Sequence, residues 1–155
     1  MRAVFGAAMH FSLEKDTIPL LTTKKVAWKT CFKELFWFLR GSTDNKELKS
    51  LGVHIWDGNS SRDYLDSRGL SHYNEDELGP VYGWQWRRFN EPYTGEKQVN
   101  DGNHPGDQLM YIINHLKDPE KRTSRRLVMS AWNILQMKEM ALPPCHILVQ
   151  FNVFD

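Results

Sequence analysis

Apolar residues recur with the 3.6-residue period of a helix in two stretches of the chain, 26–40 and 109–116. The positions are Trp28, Phe32, Leu35 and Leu39 in the first stretch and Leu109, Ile112, Ile113 and Leu116 in the second. Gly41 ends the first pattern, and Asp118 followed by Pro119 ends the second. Both stretches therefore predict amphipathic helices that each bury one face.

A further helix and several strands are predicted by shorter signals. Asp44 and Glu47 form a capping-box pattern for a helix that Gly52 ends. Extended, partly alternating apolar segments predict strands, with a weaker strand-and-turn signal near the start; the segments are 53–56, 126–132, 147–154 and 4–13. Helices and strands mixed in this way predict an α/β (α+β) fold.

The remaining segments are polar or rich in turn residues. Residues 57–79 predict a long surface excursion with one helical turn around 62–68, and residues 90–106 predict a loop. Residues 81–89 are aromatic and basic, which is typical either of a core with amphipathic edges or of a surface that stacks on nucleobases. The first reading is favoured in the absence of other context.

Composition narrows the class of protein. The 155 residues carry a net charge of +1, which makes nucleic acid an unlikely partner, and no stretch approaches the apolar length of a membrane span. Two distant cysteines form neither a disulfide framework nor a metal-binding spacing, and the six histidines show no zinc motif. We therefore expect a metal-free cytoplasmic protein with reduced thiols.

The strongest candidate for chemistry is Cys145, which follows Pro143 and Pro144 and precedes His146. Two prolines exclude a regular helix or strand interior, so the cysteine is presented at the mouth of the strand predicted over 147–154. A buried thiol and a nucleophile are equally compatible with this pattern. Neighbouring strand residues point to opposite faces, so an arginine from elsewhere is a better partner for a thiolate than the adjacent histidine.

Two other positions carry candidate charges. Glu34 lies on the flank of the first helix beside Phe38 and Trp37, where lost solvation would suit a carboxylate to proton transfer. Periodicity alone slightly favours an exposed acid paired with Lys33 or Arg40 instead. Arg125 and Arg126 close a basic run that can bind phosphate through paired guanidinium groups, although a solvated loop is the more frequent explanation.

Motifs in a fixed order along the whole chain resemble the thymidylate synthase family. They are Ile18-Pro-Leu-Leu-Thr-Thr-Lys24, Glu34-Leu-Phe-Trp-Phe-Leu-Arg-Gly41, Ile55-Trp-Asp57, Leu78-Gly-Pro-Val-Tyr-Gly83, Gln85-Trp-Arg87, Asp107-Gln108, Ser124-Arg-Arg126, Ala131-Trp-Asn133 and Met140-Ala-Leu-Pro-Pro-Cys-His146. The segment 60–77 resembles the eukaryotic and large-DNA-virus branch of the family. The resemblance implies a mixed sheet backed by helices, with the helix over 26–40 behind it.

The resemblance also implies an activity, namely reductive methylation of dUMP to dTMP with 5,10-methylenetetrahydrofolate as cosubstrate. In that family the cysteine that matches Cys145 attacks the pyrimidine, and the glutamate that matches Glu34 organises proton transfer. Tyr82 and His146 match residues on the nucleotide side. Trp56 and Asn59 match residues on the folate side.

Arg125 and Arg126 match arginines that reach the dUMP phosphate of a neighbouring protomer, and Arg126 would also serve the thiolate of Cys145. The resemblance therefore implies a homodimer.

The same resemblance indicates that residues 1–155 are the N-terminal part of one thymidylate synthase domain. The first phosphate loop and the C-terminal half of the family pattern have no counterpart in the sequence, and Asn152 stands where an aromatic residue is usual. We therefore expect the isolated chain to form no stable adduct with 5-fluoro-dUMP.

The alternatives are a pyrimidine nucleotide hydroxymethylase of the same fold and a non-catalytic fragment that acts as a subunit partner or RNA binder.

Overall fold

A computed structural model describes residues 3–95 and 104–154. Its helices are α1 (Trp28–Leu39), α2 (Asn45–Ser50), α3 (Asp57–Ser60), α4 (Arg62–Ser67), α5 (Tyr82–Arg87) and α6 (Gln108–Lys117). Two short strands, β1 (Val128–Met129) and β2 (Val149–Gln150), pair antiparallel, and 3₁₀ turns lie at Glu14–Asp16 and Met137–Glu139. Helices with a small sheet confirm the predicted α+β class.

The long amphipathic helix predicted over 26–40 is confirmed as α1. Its buried face is not the predicted one: Trp37 and Phe38 are buried where the helix packs against α5 and α2. In the predicted stripe, Trp28 and Leu35 are 44% and 40% exposed. Gly41 follows with φ of +74°, a left-handed conformation that costs glycine little and ends the helix.

The two other predicted helices are confirmed, and side-chain caps explain where they begin. The Asp44 carboxylate accepts the backbone N–H of Lys46 at 2.8 Å at the start of α2. The Asp107 carboxylate accepts the N–H of Met110 at 2.9 Å at the start of α6. Each cap satisfies a backbone donor that the first helical turn leaves without an intrahelical partner.

The predicted strands are mostly wrong in extent. Residues 53–56 form a turn instead of a strand, because the N–H of Val53 bonds back to the carbonyl of Leu48 at the end of α2. The strands predicted over 126–132 and 147–154 shrink to β1 and β2, and no strand forms in the described part of 4–13. Within the described residues, α6 and not α1 is the helix that packs mainly against β1.

Residues 57–79 contain the predicted helical turn, whereas the aromatic segment 81–89 contains a helix that was not predicted. The helical turn expected around 62–68 is confirmed as α4, whereas α5 was not predicted. All six residues of α5 are buried, so the helix has no exposed polar face. Its sequence therefore lacks the alternation of apolar and polar residues that predicts an amphipathic helix. Of the loop predicted over 90–106, residues 96–103 lie outside the described residues.

Candidate active site

Glu34 and Trp56 are joined by a hydrogen bond between two elements far apart in sequence. The indole N–H of Trp56 donates to Oε1 of Glu34 at 2.7 Å. Glu34 is half-buried on the flank of α1, and Trp56 precedes α3 with only 6% of its surface exposed. The expected pairing of Glu34 with Lys33 or Arg40 is wrong: the Lys33 ammonium bonds to the carbonyl of Leu51, and Arg40 lies 3.6 Å from Glu47.

The Tyr82 hydroxyl holds the Pro-Pro-Cys-His corner in place. Its oxygen accepts the backbone N–H of Cys145 at 2.5 Å and that of His146 at 3.3 Å. Tyr82 opens α5 and is 5% exposed. Burial raises the pKa of the Tyr82 phenol, and the two backbone donors oppose that rise in part.

Aromatic contacts connect the two hydrogen-bonded pairs. The Tyr82 and Trp56 rings meet edge to face with centroids 6.4 Å apart, and the centroid of the Phe38 ring lies 4.7 Å from that of Tyr82. The imidazole of His146 lies 5.1 Å from the Tyr82 ring. Offset and edge-to-face contacts of this kind fix ring orientation as well as burying area. Glu34, Trp56, Tyr82 and the Cys145–His146 corner therefore form one continuous cluster.

Cys145 is an exposed free thiol, so the buried-thiol alternative is wrong. Exposure leaves the sulfur accessible to a ligand, which a nucleophile requires. The corner sits four residues before β2, close to the strand mouth that the sequence predicts.

Arg125 and Arg126 lie exposed just before β1, the strand that pairs with β2. The Arg125 carbonyl accepts a hydrogen bond from the side chain of Gln150, and the N–H of Arg126 donates to Ser124 Oγ. Within 3–95 and 104–154 no hydrogen bond or ion pair is formed by either guanidinium. Both charged groups thus remain available to an anion.

Asn59, the second residue expected on the folate side, is half-buried in α3, three residues after Trp56. Its backbone N–H bonds to the Trp56 carbonyl at 3.0 Å, which ties both residues to one helical turn.

The described residues hold neither a metal-binding cluster nor a membrane-spanning helix, and one cavity lies apart from the candidate site. In the part of the chain that the structure describes, no group of histidine, cysteine and carboxylate side chains could hold a metal, and no helix is long and apolar enough to cross a membrane. A cavity of about 320 Å³ lies beyond the C-terminal end of α1, lined by side chains of both charges and by Tyr93. None of the candidate site residues lines it.

Two contacts of the cluster were missed by reasoning from sequence. The bond from the Cys145 backbone to the Tyr82 hydroxyl spans 63 positions, and that from Trp56 to Glu34 spans 22. Periodicity reports only on neighbours within one element, so it carries no signal for such pairs. Phe38 was recognised as apolar but not as the ring that packs on Tyr82.

The cluster and the strand connection beside it offer three kinds of chemical group. Cys145 supplies an accessible sulfur nucleophile, and Glu34 supplies a carboxylate with one oxygen fixed by Trp56 and the other free of that bond. The exposed guanidinium groups of Arg125 and Arg126 supply positive charge on the neighbouring strand connection. A thiol, a proton-transfer group and an anion site suit covalent chemistry on a phosphorylated ligand.

Comparison with known proteins shows similarity across the chain. The family model described as thymidylate synthase matches residues 1–155. The chain is 55% identical to a thymidylate synthase of Herpesvirus ateles over 153 residues, which cover 99% of the chain and 51% of that protein. It is 51% identical to a bifunctional dihydrofolate reductase-thymidylate synthase of Zea mays over 96% of the chain and 28% of that protein. It is 46% identical to a thymidylate synthase of Ascaris suum over 97% of the chain and 50% of that protein.

These relatives come from a herpesvirus, a plant and a nematode, in agreement with the branch that the segment 60–77 resembles. The chain spans about half the length of the relatives that carry one activity in their names, and less of the bifunctional one.

Proposed function

Because the chain belongs to the thymidylate synthase family, we propose that its cluster takes part in the reductive methylation of dUMP to dTMP. The observation that supports this most directly is the exposed Cys145 thiol on a corner that the Tyr82 hydroxyl fixes by two backbone hydrogen bonds. The relatives' names favour methylation over hydroxymethylation, since they are called thymidylate synthases.

In the proposed reaction the Cys145 thiolate adds to C6 of the uracil ring. The new S–C6 bond moves the C5–C6 π electrons to C5 and onto the O4 carbonyl, so C5 becomes a carbon nucleophile. After C5 has bonded to the one-carbon unit, the C5 proton leaves to a base and the bond between that carbon and the folate nitrogen breaks. A hydride then adds to the same carbon to give the methyl group, and the sulfur is finally expelled from C6. Splitting the substitution into addition and elimination replaces one difficult step by two easier ones.

Glu34 is proposed to manage the proton transfers. Its Oε1 is occupied by the Trp56 indole, so Oε2 is the oxygen directed to water or to the ligand. A carboxylate whose orientation is fixed in this way exchanges protons without first having to lose rotational freedom.

The residues on the folate side fit a flat heterocycle. The Trp56 indole packs edge to face on Tyr82 with 6% of the residue exposed, and the Asn59 side-chain amide, half-buried one turn later, makes no hydrogen bond within the described ranges. An aromatic edge and an unoccupied amide suit a ring with polar substituents. When bound there, 5,10-methylenetetrahydrofolate supplies the one-carbon unit and the hydride.

Arg125 and Arg126 are proposed to bind the dUMP phosphate, Arg126 also stabilising the thiolate of Cys145. Two exposed guanidinium groups with no partner in the described ranges support an intermolecular role, and we propose a homodimer in which they serve the neighbouring protomer. His146 is proposed to lie on the nucleotide side, which its contact with Tyr82 supports.

The domain and the cellular environment are proposed for the chain as a whole. Residues 1–155 are proposed to belong to one thymidylate synthase domain, which the family match over the same range supports. A reducing, cytoplasmic environment is proposed because Cys31 and Cys145 are both free thiols and the chemistry needs reduced sulfur.

A chimera tests the proposal without depending on the isolated chain. In the herpesvirus chimera, this chain replaces the matching 153 residues of the Herpesvirus ateles thymidylate synthase. We expect the chimera to form dTMP from dUMP and methylenetetrahydrofolate, and Cys145→Ser to abolish this. A folded chimera whose dTMP formation survives Cys145→Ser contradicts the proposal.

A further inference from the structure

A buried polar cluster lies behind the candidate active site and joins α2 to α3. It consists of the buried residues Asn45, Ser60 and Asp76 and of Asp57 at its partly exposed edge, and Asn45 at its centre has no exposed surface. The Asn45 Nδ2 atom lies 2.9 Å from Asp57 Oδ1, 2.9 Å from Ser60 Oγ and 3.3 Å from Asp76 Oδ1. We call these four residues the Asn45 cluster.

The orientation of the Asn45 amide follows from its surroundings. Its nitrogen faces two carboxylates and a hydroxyl, whereas its oxygen is buried without a hydrogen-bond partner. The opposite orientation would direct the amide oxygen at the carboxylates of Asp57 and Asp76, which repel it. Asn45 therefore acts as the donor on which these acceptors converge.

Further bonds make the cluster a junction of three chain segments. The Asn45 N–H donates to the Asp76 carbonyl at 2.8 Å, and the Asp76 N–H donates to the Ser60 carbonyl at 2.9 Å. The Lys49 ammonium lies 2.5 Å from Asp76 Oδ1 and balances its charge. Asp76 has φ of +73°, an unfavourable conformation for a residue with a Cβ, which these surrounding bonds hold in place.

The placement of α3 depends on this junction. Asp57 and Ser60 are its first and last residues, and a helix of one turn has no stability of its own. Trp56 directly precedes α3, so the position and orientation of this helical turn determine where the indole N–H points. Ring packing against Trp37 and Tyr82 is tolerant of small shifts, whereas a 2.7 Å hydrogen bond to Glu34 is not.

We propose that Asn45 is a positioning residue, which fixes α3 through Asp57 and Ser60 and thereby holds the Trp56 indole against Glu34. Its value for catalysis rests on the function proposed above, but the positioning itself is a property of this chain. Asn45 touches none of the groups assigned to the reaction and acts only through the turn that carries Trp56.

The indole N–H of Trp56 reports this positioning directly by NMR. Its resonance is assigned with Trp56→Phe, and Glu34→Ala gives the reference for a broken bond. In Asn45→Ala the resonance is expected to shift toward this reference, and the indole hydrogen to exchange about tenfold faster, as loss of a local hydrogen bond predicts. Ser50→Ala is the matched control on α2, because the Ser50 hydroxyl is exposed and bonds to the carbonyl of Glu47 in its own helix.

A second variant guards against loss of the fold. Ser60→Ala removes one acceptor of the Asn45 amide but leaves α2 unaltered, and its indole shift should have the same direction with a smaller size. Wild-type indole shift and exchange in folded Asn45→Ala or folded Ser60→Ala would overturn the proposal. The two proposals can fail separately. If Asn45→Ala alters the indole resonance but the herpesvirus chimera forms no dTMP, the positioning role of Asn45 stands and only the proposed function is contradicted.

Discussion

The indole of Trp56 and the carboxylate of Glu34 meet at 2.7 Å across 22 positions of sequence. This bond occupies Oε1 and leaves the other oxygen of the carboxylate for exchange with water or ligand. The same carboxylate on an exposed helix face would pair with whichever cation came near. The contact with Trp56 therefore gives this carboxylate a fixed orientation, which an ordinary surface acid lacks.

Substitutions at Glu34 should separate charge from hydrogen bonding. Glu34→Gln keeps an oxygen for the Trp56 indole but cannot exchange protons, so we expect dTMP formation by the herpesvirus chimera to fall by about 10²–10⁴-fold. Its unfolding midpoint should stay near that of the parent. Equal activity in Glu34→Gln and parent chimeras would show that the carboxylate takes no part in proton transfer.

Removal of the Tyr82 hydroxyl should loosen the corner that carries Cys145. Tyr82→Phe keeps the ring contacts but leaves two backbone N–H groups without their acceptor, at a cost of about 1–2 kcal/mol in unfolding free energy. Hydrogen exchange should accelerate at the amides of Cys145 and His146. Tyr111→Phe on α6 is the control, since the Tyr111 ring is partly exposed and contacts His115. Unchanged exchange at Cys145 in Tyr82→Phe would contradict the role given to the hydroxyl.

The buried ion pair between Arg87 and Asp107 should matter most for stability. The Arg87 guanidinium donates to Asp107 at 2.8 Å and 2.9 Å and to the carbonyl of Leu39 at 2.9 Å. Arg87→Met leaves a buried carboxylate without its partner and should cost about 3–5 kcal/mol, measured by urea denaturation.

The control for this experiment is Lys121→Met, which breaks the exposed pair with Asp118 and should barely move the urea midpoint. Similar midpoints for the Arg87 and Lys121 variants would show that burial of the first pair has no energetic consequence.

The pKa of Asp57 should show whether the Asn45 amide donates a hydrogen bond to this carboxyl. The hydrogen bond from Asn45 is the largest cause that lowers the pKa of Asp57, and a bond from His54 adds to it. A lowered carboxyl pKa contributes stability above the ordinary value of about 3.9, and this is lost as the pH falls through the folded value. In Asn45→Ala the ¹³C titration midpoint of the Asp57 carboxyl should therefore rise toward the ordinary value.

Asp118 serves as the internal control for that titration. Its pKa is lowered mainly by Lys121, far from Asn45 in sequence, so its midpoint should be the same in both proteins. An unaltered Asp57 midpoint in Asn45→Ala would contradict the hydrogen bond between the two side chains.

Local patterns predicted the helices that have one buried face. The apolar positions of α6 mark its buried face, where Ile112 is almost completely enclosed, but those of α1 do not mark the face that the helix buries. Gly41 marks the end of α1 by its left-handed conformation. By contrast α5 is buried on every side, and Gly83 within it approaches the carbonyl of Ser42 so closely that a Cβ would lie 2.8 Å away. That need for a glycine comes from packing against a distant loop, which a local pattern cannot show.

The strands and the site depend on contacts between distant segments. Residues 53–56 are apolar enough for a strand but form a turn, since the backbone of Val53 closes onto α2. The motifs identified Glu34, Trp56, Tyr82 and Cys145 individually. Which of them touch, and through which atoms, follows only from the folded chain, because each pairing joins separate elements.

Attack of the Cys145 thiolate on C6 of the deoxyuridylate ring is the step on which the proposed function depends. It is tested most directly by incubating the herpesvirus chimera with 5-fluoro-dUMP and methylenetetrahydrofolate and identifying the modified peptide by mass spectrometry. Fluorine at C5 cannot leave as a proton does, so the S–C6 bond should persist. The adduct should be found on the peptide that contains Cys145, and the Cys31→Ser chimera should still form this adduct. A folded chimera with no adduct, or with the adduct on Cys31, would contradict the claim.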